Sequence, residues 1–309
     1  MAFRVVFFGT SEFAVPPLAA LAADPRFTVA GLVTQPDRPV GRHAALTAPA
    51  TKRWALDRGA SFEIRQPEKM SDPEFRPWIE TVGPSCDAFV VVSYGKILPQ
   101  WLLDLPRKGV VNVHGSILPR WRGASPIHAA IAAGDASSGV TVMKIDALMD
   151  HGPILTTVAE PIRASDTAGS LHDRLATLGG KVLPDTLTGY LEGRILPQEQ
   201  DHAAATHCKI LSRDDGKLDP AKPAVELERL VRGMDPWPGT WMDWNGKRLK
   251  ILAAALGPAT ETTPGCIFVQ DGEPLLACGN GSSLRLLRVQ PEGKSAMDGT
   301  AFANGLRNP

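Results

Sequence analysis

The chain reads as an α/β protein in which a mostly parallel sheet is followed by a small β-rich domain, and three observations carry that reading. Through the first two thirds, apolar and β-branched strands alternate with helical segments, the pattern of parallel strands covered on both faces. The last third has one helix and then short β-like segments separated by Asn-Gly and Asp-Gly dipeptides, which favour tight hairpin turns. At 309 residues the chain exceeds a comfortable single core, so two domains are expected.

Phe3 to Phe8 is the first strand, Gly9 its turn, Phe13 to Ala23 a helix, Thr28 to Val33 a second strand and Ala88 to Ser93 a third. Gly9-Thr10-Ser11 does not open a dinucleotide fingerprint, because Ser11 and Ala14 stand where further glycines are required. A nicotinamide-dependent oxidoreductase is therefore a minor option. From Gln35 to about Pro49 no period is sustained and prolines interrupt, the mark of a long loop overhanging the sheet. Gly109 to Val113 is a buried strand, Ser116 to Gly123 a loop, and Ser125-Pro126 a helix start with Ser125 as N-cap. Gly139 to Ile145 is a further strand. Asp166 to Gly193 is a long helix with Leu171, Leu175, Leu178, Val182 and Leu187 on its apolar stripe and Pro184 expected to interrupt or kink it. Residues 1–197 form the first domain, 198–223 a polar linker with a turn at Asp214-Asp215-Gly216, and 224–309 the second domain, opening on a helix from Ala224 to Met234.

The chemistry concentrates at the end of the Gly109 strand. Residues i and i+2 of a strand share a face, so Asn112 and His114 project together where open α/β sheets bind ligands. An Asn amide and an imidazole can both donate to a developing oxyanion in acyl transfer. A carboxylate is the usual group to orient such a His. Asp150, in a strand-end loop beside a glycine, is the leading candidate; Asp146 competes, closer to the strand and explicable as turn chemistry. On spacing alone an Asn-x-His pair is more often a satisfied structural pair. His172, on the long helix, reads as a partly buried residue rather than a catalyst.

Composition sets bounds. The 43% apolar and 21% charged residues are ordinary for a soluble globular protein, and no apolar run is long enough to span a membrane. No secretory signal is visible, and Cys86, Cys208, Cys266 and Cys278 show no metal spacing, so free thiols in the cytoplasm are expected. Lys plus Arg equals Asp plus Glu at 33 each, which argues against a generic nucleic-acid binder. The clusters Arg38 to Arg58 and Lys247, Arg248, Lys250 read as solvated faces when taken alone. Trp237, Trp241 and Trp244 could stack on bases, but core packing at a domain junction is the better account.

The run NVHGSILPRWRGASPI, with Asp150 before a glycine-containing turn, resembles the folate-dependent formyltransferases. FFGTSEFAVPPL, QPDRPVGR, VSYGKILP, DPWPGTW and QPEGKSAM, in order along nearly the whole chain, narrow the resemblance to members that formylate methionyl initiator tRNA. The resemblance implies a Rossmann-like catalytic domain with an OB-like β-barrel after it, and 10-formyltetrahydrofolate as co-substrate with neither metal nor redox cofactor. Asn112, His114 and Asp150 would be catalytic. The folate would lie against the backbone of Tyr94, Gly95, Lys96, Ile97 and Leu98, with Ser116, Ile117, Leu118 and Pro119 as pocket wall. Arg42, Lys247 and Arg248 would meet the tRNA of a cytoplasmic, monomeric enzyme. One departure is local: family members commonly continue after Arg42 with a Gly-Lys-Lys-like run, where this chain has His43-Ala44-Ala45. The rival readings are an amino-sugar-nucleotide formyltransferase, a formyltetrahydrofolate hydrolase, and a nucleic-acid-binding protein without catalysis.

Overall fold

The structure is a computed structural model and describes residues 2–40 and 45–307. It forms two compact units: Met1–Gly123 with Ser138–Glu160 and His172–His207, and Ala124–Ser137 with Pro161–Leu171 and Cys208–Pro309. The units interleave in sequence, since a helix and the start of another from the first two thirds belong to the second unit.

In order along the first two thirds the elements are β1 (Phe3–Gly9), α1 (Val15–Ala23), β2 (Phe27–Val33), β3 (Arg38–Val40), β4 (Ala45–Thr47), α2 (Ala50–Asp57), β5 (Glu63–Arg65), α3 (Phe75–Val82), β6 (Ala88–Val92), α4 (Gln100–Leu103), β7 (Val110–His114), β8 (Arg122–Gly123), α5 (Pro126–Ala133), β9 (Ser137–Lys144), β10 (Ile154–Pro161) and α6 (Ala168–Leu191). The main sheet has the order β10-β9-β7-β6-β1-β2-β5. Strands β7, β6, β1, β2 and β5 are parallel and β9 runs antiparallel to β7. The chain leaves β1 for β2 and β5 on one side and returns through β6 and β7 on the other, so the order reverses between β1 and β6. That switch point is where a crevice opens at the carboxyl ends of the strands.

Every residue of β6 is buried, as are Val5 to Phe8, because helices cover both faces. Phe8, Phe75, Ile79, Phe89 and Leu102 pack in one cluster, and each such side chain contributes about 1.5 to 3 kcal/mol of burial. Gly9 is required by close approach: a Cβ there would lie 2.8 Å from that of Ala14.

Three local expectations change. The segment after Gln35 contains a short ribbon in which β3 pairs antiparallel with β4, strands of three residues each that are too short to display a period. Ser125 precedes α5, but its hydroxyl makes no capping bond. Helix α6 is not interrupted at Pro184, which lacks the N–H that would have bonded the Gly180 carbonyl. Leu175, Leu183 and Leu187 of α6 are fully buried, while Leu178 and Val182 are half-buried. His172 is also half-buried, its ring edge on Phe13 and its Nδ1 beside Asp173.

The remaining elements are β11 (His207–Cys208), α7 (Ala224–Gly233), β12 (Thr240–Trp244), β13 (Lys247–Leu256), β14 (Ile267–Gln270), β15 (Glu273–Cys278), β16 (Ser282–Pro291), β17 (Met297–Asp298) and α8 (Gly299–Arg307). An antiparallel sheet runs β12-β13-β16-β15-β14, with β17 also paired to β16. Its turns are those the dipeptides predict, with Asn245, Asp271 and Asn280 at φ of 49°, 52° and 57°, each followed by a glycine that is also left-handed. Leu227, Val231, Leu249, Ile251, Leu284 and Leu286 fill the core of this unit. Trp244 packs edge-on against Phe302 in that core, whereas Trp237 is 52% exposed. No helix among the described residues is long and apolar enough to cross a membrane.

Candidate active site

The rim at the carboxyl ends of β1, β6 and β7 is where three non-glycine residues of the first unit take left-handed backbone conformations: Ser93 (φ 46°), Trp121 (φ 61°) and Asp150 (φ 49°). Conformations of this kind cost of order 1 kcal/mol or more and persist where the surroundings over-determine them, typically at functional sites. For the bulky Trp121 the departure is the least expected.

Asn112 and His114, two apart on β7, both face Asp150. Asn112 Nδ2 lies 3.5 Å and His114 Nδ1 3.7 Å from the same oxygen, Asp150 Oδ1. The other oxygen, Oδ2, accepts from the Gly123 N–H at 2.8 Å. His114 is 6% exposed, and its Nε2 lies 2.9 Å from the Trp121 carbonyl. A carbonyl only accepts, so Nε2 carries the hydrogen and Nδ1 is the nitrogen turned to the carboxylate. The left-handed turn at Trp121 thereby sets the tautomer of the ring. The Asn112 amide supplies one N–H donor beside an orienting carboxylate and His114 Nδ1 a second once the ring is protonated, which suits a tetrahedral oxyanion, with proton exchange through Nδ1 or the carboxylate.

Asp146 behaves as a turn residue: Oδ1 accepts from the Leu148 N–H and Oδ2 lies 2.7 Å from His151 Nδ1. Gly152 closes the same loop by close approach, since a Cβ there would come 2.2 Å from the Lys144 carbonyl oxygen.

The segment 94–98 follows β6 at the switch point, with Tyr94 buried, Lys96 and Leu98 half-buried and Gly95 and Ile97 exposed. Tyr94 is buried, its ring edge on Phe8, and burial pushes its hydroxyl pKa up. Its carbonyl accepts from Thr10 Oγ1 and Gln35 Nε2. Gly95 is left-handed, and Lys96 Nζ donates to the Pro67 and Glu68 carbonyls at 2.7 Å each. Burial pulls the pKa of Lys96 below its ordinary value. Ile97 stands out at 83% exposed, and Leu98 packs half-buried on the core.

Ser116 to Pro119 make a packed wall beside His114. Ser116 Oγ donates to the Arg120 carbonyl, Leu118 is buried with its N–H on Thr141 Oγ1, and that hydroxyl donates to the Ser116 carbonyl. Ile117 borders Gly139. Arg42 lies outside the described residues. Lys247 and Arg248 belong to the second unit, where Lys247 is exposed and the Arg248 guanidinium stacks on Trp241 at 3.9 Å. Lys217 lies over the same ring, and a cleft of about 290 Å³ is lined by Arg248, Lys250, Gln290 and Glu292.

Two site residues escaped sequence reasoning. Arg122 and Gln200 are buried beside Asp150, but Gln200 stands in a polar stretch with no periodicity and Arg122 in a two-residue strand too short to show a period, so neither carries a local signal.

Comparison with known proteins gives a consistent result. Residues 3–187 match the family described as formyl transferase, and residues 210–307 match the formyl transferase C-terminal domain. A methionyl-tRNA formyltransferase of Roseiflexus sp. (strain RS-1) is 44% identical over 309 residues, covering 99% of this chain and 94% of that protein. One from Pseudomonas paraeruginosa (strain DSM 24068 / PA7) is 47% identical over 293 residues, covering 94% of this chain and 92% of its own length. Among solved structures, an N-formyltransferase of Helicobacter canadensis in complex with folinic acid and dTDP-3-aminofucose superposes with a TM-score of 0.68 at 15% identity, over 94% of this chain and all of that one. HypX of Aquifex aeolicus in complex with tetrahydrofolic acid gives 0.61 at 13% identity, over 99% of this chain and 47% of that one. At such identities the two structures speak to the fold alone.

Proposed function

The chain belongs to the formyl transferase family, and from that premise we propose that it transfers the formyl group of 10-formyltetrahydrofolate to the α-amine of methionyl initiator tRNA, in the cytoplasm, with Asn112, His114 and Asp150 as the catalytic groups. The observation that carries the assignment of residues is the convergence of Asn112 Nδ2 and His114 Nδ1 on one oxygen of Asp150.

The reaction needs a neutral amine held about 3 to 3.5 Å from the formyl carbon and a stabilised tetrahedral intermediate. Asn112 Nδ2 and the Nδ1–H of a protonated His114 donate to the formyl oxygen as it gains charge. Asp150 compensates the imidazolium charge and accepts the amine proton through water. The new bond joins the methionyl nitrogen to the formyl carbon, the bond from that carbon to the folate nitrogen breaks, and the folate nitrogen takes up a proton. No covalent link to the protein is required. The backbone of Tyr94 to Leu98 and the wall from Ser116 to Pro119 hold the folate, while Arg42, Lys247 and Arg248 serve the tRNA.

The test is a single incubation series with labelled 10-formyltetrahydrofolate and either charged initiator tRNA, an amino-sugar nucleotide or no acceptor. Label in methionyl-tRNA is the expected result. Label in the sugar nucleotide alone, or formate released without acceptor, would replace the tRNA reading by a sugar transferase or a hydrolase.

A further inference from the structure

The left-handed backbone of Asp150 is imposed from outside its own loop. Gln200, 5% exposed, donates from Nε2 to the carbonyls of Asp150 at 2.9 Å and Gly152 at 2.7 Å. Its Oε1 accepts from Arg122 Nε at 3.1 Å and Nη2 at 2.7 Å. Carbonyls only accept and a guanidinium only donates, so this amide has one orientation that satisfies both sides. Arg122 is itself buried at 4% exposure, and the next residue, Gly123, gives its N–H to Asp150 Oδ2. Backbone and carboxylate of Asp150 are thus held by two neighbouring groups of one network.

The network continues to the other end of the loop. Arg122 Nη2 lies 2.8 Å from His202 Nδ1, which must be the acceptor. The His202 ring stacks on His151 at 3.9 Å and 4°, and His151 Nδ1 meets Asp146 Oδ2 at 2.7 Å. The loop from Asp146 to Gly152 is therefore tied at Asp150, His151 and Gly152 by residues far away in sequence.

We propose that Gln200 is a positioning residue for formyl transfer, its amide setting the Asp150 backbone so that the carboxylate faces Asn112 and His114. The proposal rests on the catalytic reading of Asp150 given above. Displacement of a reacting group by about 1 Å can cost on the order of 10² in rate, and Asp150 Oδ1 already stands at 3.5 and 3.7 Å from its two partners.

Gln200→Glu separates positioning from folding. The substitution keeps an oxygen for Arg122 but loses both N–H donors and aims an oxygen at two carbonyls. Steady-state formylation and thermal melting are measured for Gln200→Glu, Asp150→Asn and the double variant. In Gln200→Glu, kcat should fall by about tenfold or more while KM for methionyl-tRNA stays near the parent's, and a cooperative melting transition, lowered by the two carbonyls left without donors, shows that the variant is folded. The double variant should be no slower than Asp150→Asn alone, because Gln200 acts through Asp150. A Gln200→Glu enzyme with parental kcat, or losses that add in the double variant, overturns the proposal while leaving Asp150 in place. Parental turnover in Asp150→Asn overturns the reading of Asp150 and this proposal with it.

Discussion

Asp150→Asn isolates charge from shape. Asparagine is isosteric with aspartate and among the residues most tolerant of a left-handed φ, here 49°, so the turn survives the change. The amide oxygen can still accept from the Gly123 N–H that now bonds Oδ2 at 2.8 Å, so the loop keeps its anchor. What disappears is the negative charge 3.7 Å from His114 Nδ1. At that distance, and with an effective dielectric of about 20, a unit charge pair is worth about 4.5 kcal/mol. His114 is nearly buried, so solvent screens the pair little. At about 1.4 kcal/mol per tenfold, the loss of kcat should be about 10³, because the protonated His114 donor loses its counter-charge. Thermal melting should shift little, and formyl transfer from labelled 10-formyltetrahydrofolate to methionyl-tRNA supplies the rate. A folded Asp150→Asn enzyme within about tenfold of the parent would refute the assignment, because the charge would then contribute at most about 1.4 kcal/mol to the transition state.

Three further outcomes are expected. His114→Ala and Asn112→Ala should each lower formyl transfer by on the order of 10² with folding intact, and near-parental turnover of either would remove that residue from the mechanism. Arg42→Ala should weaken transfer to methionyl-tRNA and reduce the salt slope of binding by about one phosphate contact, leaving folate binding unchanged; identical tRNA kinetics across a salt series would return Arg42 to the solvated surface. In the second unit, the Lys209 ammonium at 2.5 Å and the Ser212 N–H and hydroxyl bring the Asp215 carboxyl down to about 2 from an ordinary 3.8. A carboxylate whose pKa is lowered in the folded state stabilises it above the unfolded value and loses that contribution as pH falls toward the folded one. The melting-temperature gap between parent and Asp215→Asn should accordingly be constant above about pH 5 and close between about pH 4 and 2; a gap unchanged at pH 2 would refute the pairing.

Much of the architecture is local information. The strands β1, β2, β6 and β7 are runs of apolar and β-branched residues within a residue or two of their predicted limits, because a strand buried on both faces must be apolar along its length. The hairpins at Asn245-Gly246 and Asp271-Gly272 were legible because few residues besides Asn, Asp and Gly accept φ above zero cheaply. Asn112 and His114 were legible as a pair because the strand period places i and i+2 on one face. β5, with the sequence Glu-Ile-Arg, and the ribbon of β3 and β4 were not, since three residues carry no period and are made strands by their partners.

The sequence by itself determined the alternation of elements, the hairpin turns and the strand end that offers an amide and an imidazole. The tertiary structure decided which carboxylate they meet, which nitrogen of His114 faces it, and what holds it there. Loop position favours Asp150 over Asp146 on paper without excluding either, and in the structure Asp146 is spent on its own turn and on His151 while Asp150 is fixed by Gly123 and Gln200. The Trp121 carbonyl sets the His114 tautomer across seven residues, and Gln200 reaches Asp150 across fifty. Periodicity and turn preference act over a few residues and are written in the chain, whereas hydrogen bonds between distant segments exist only once the sheet has brought those segments together.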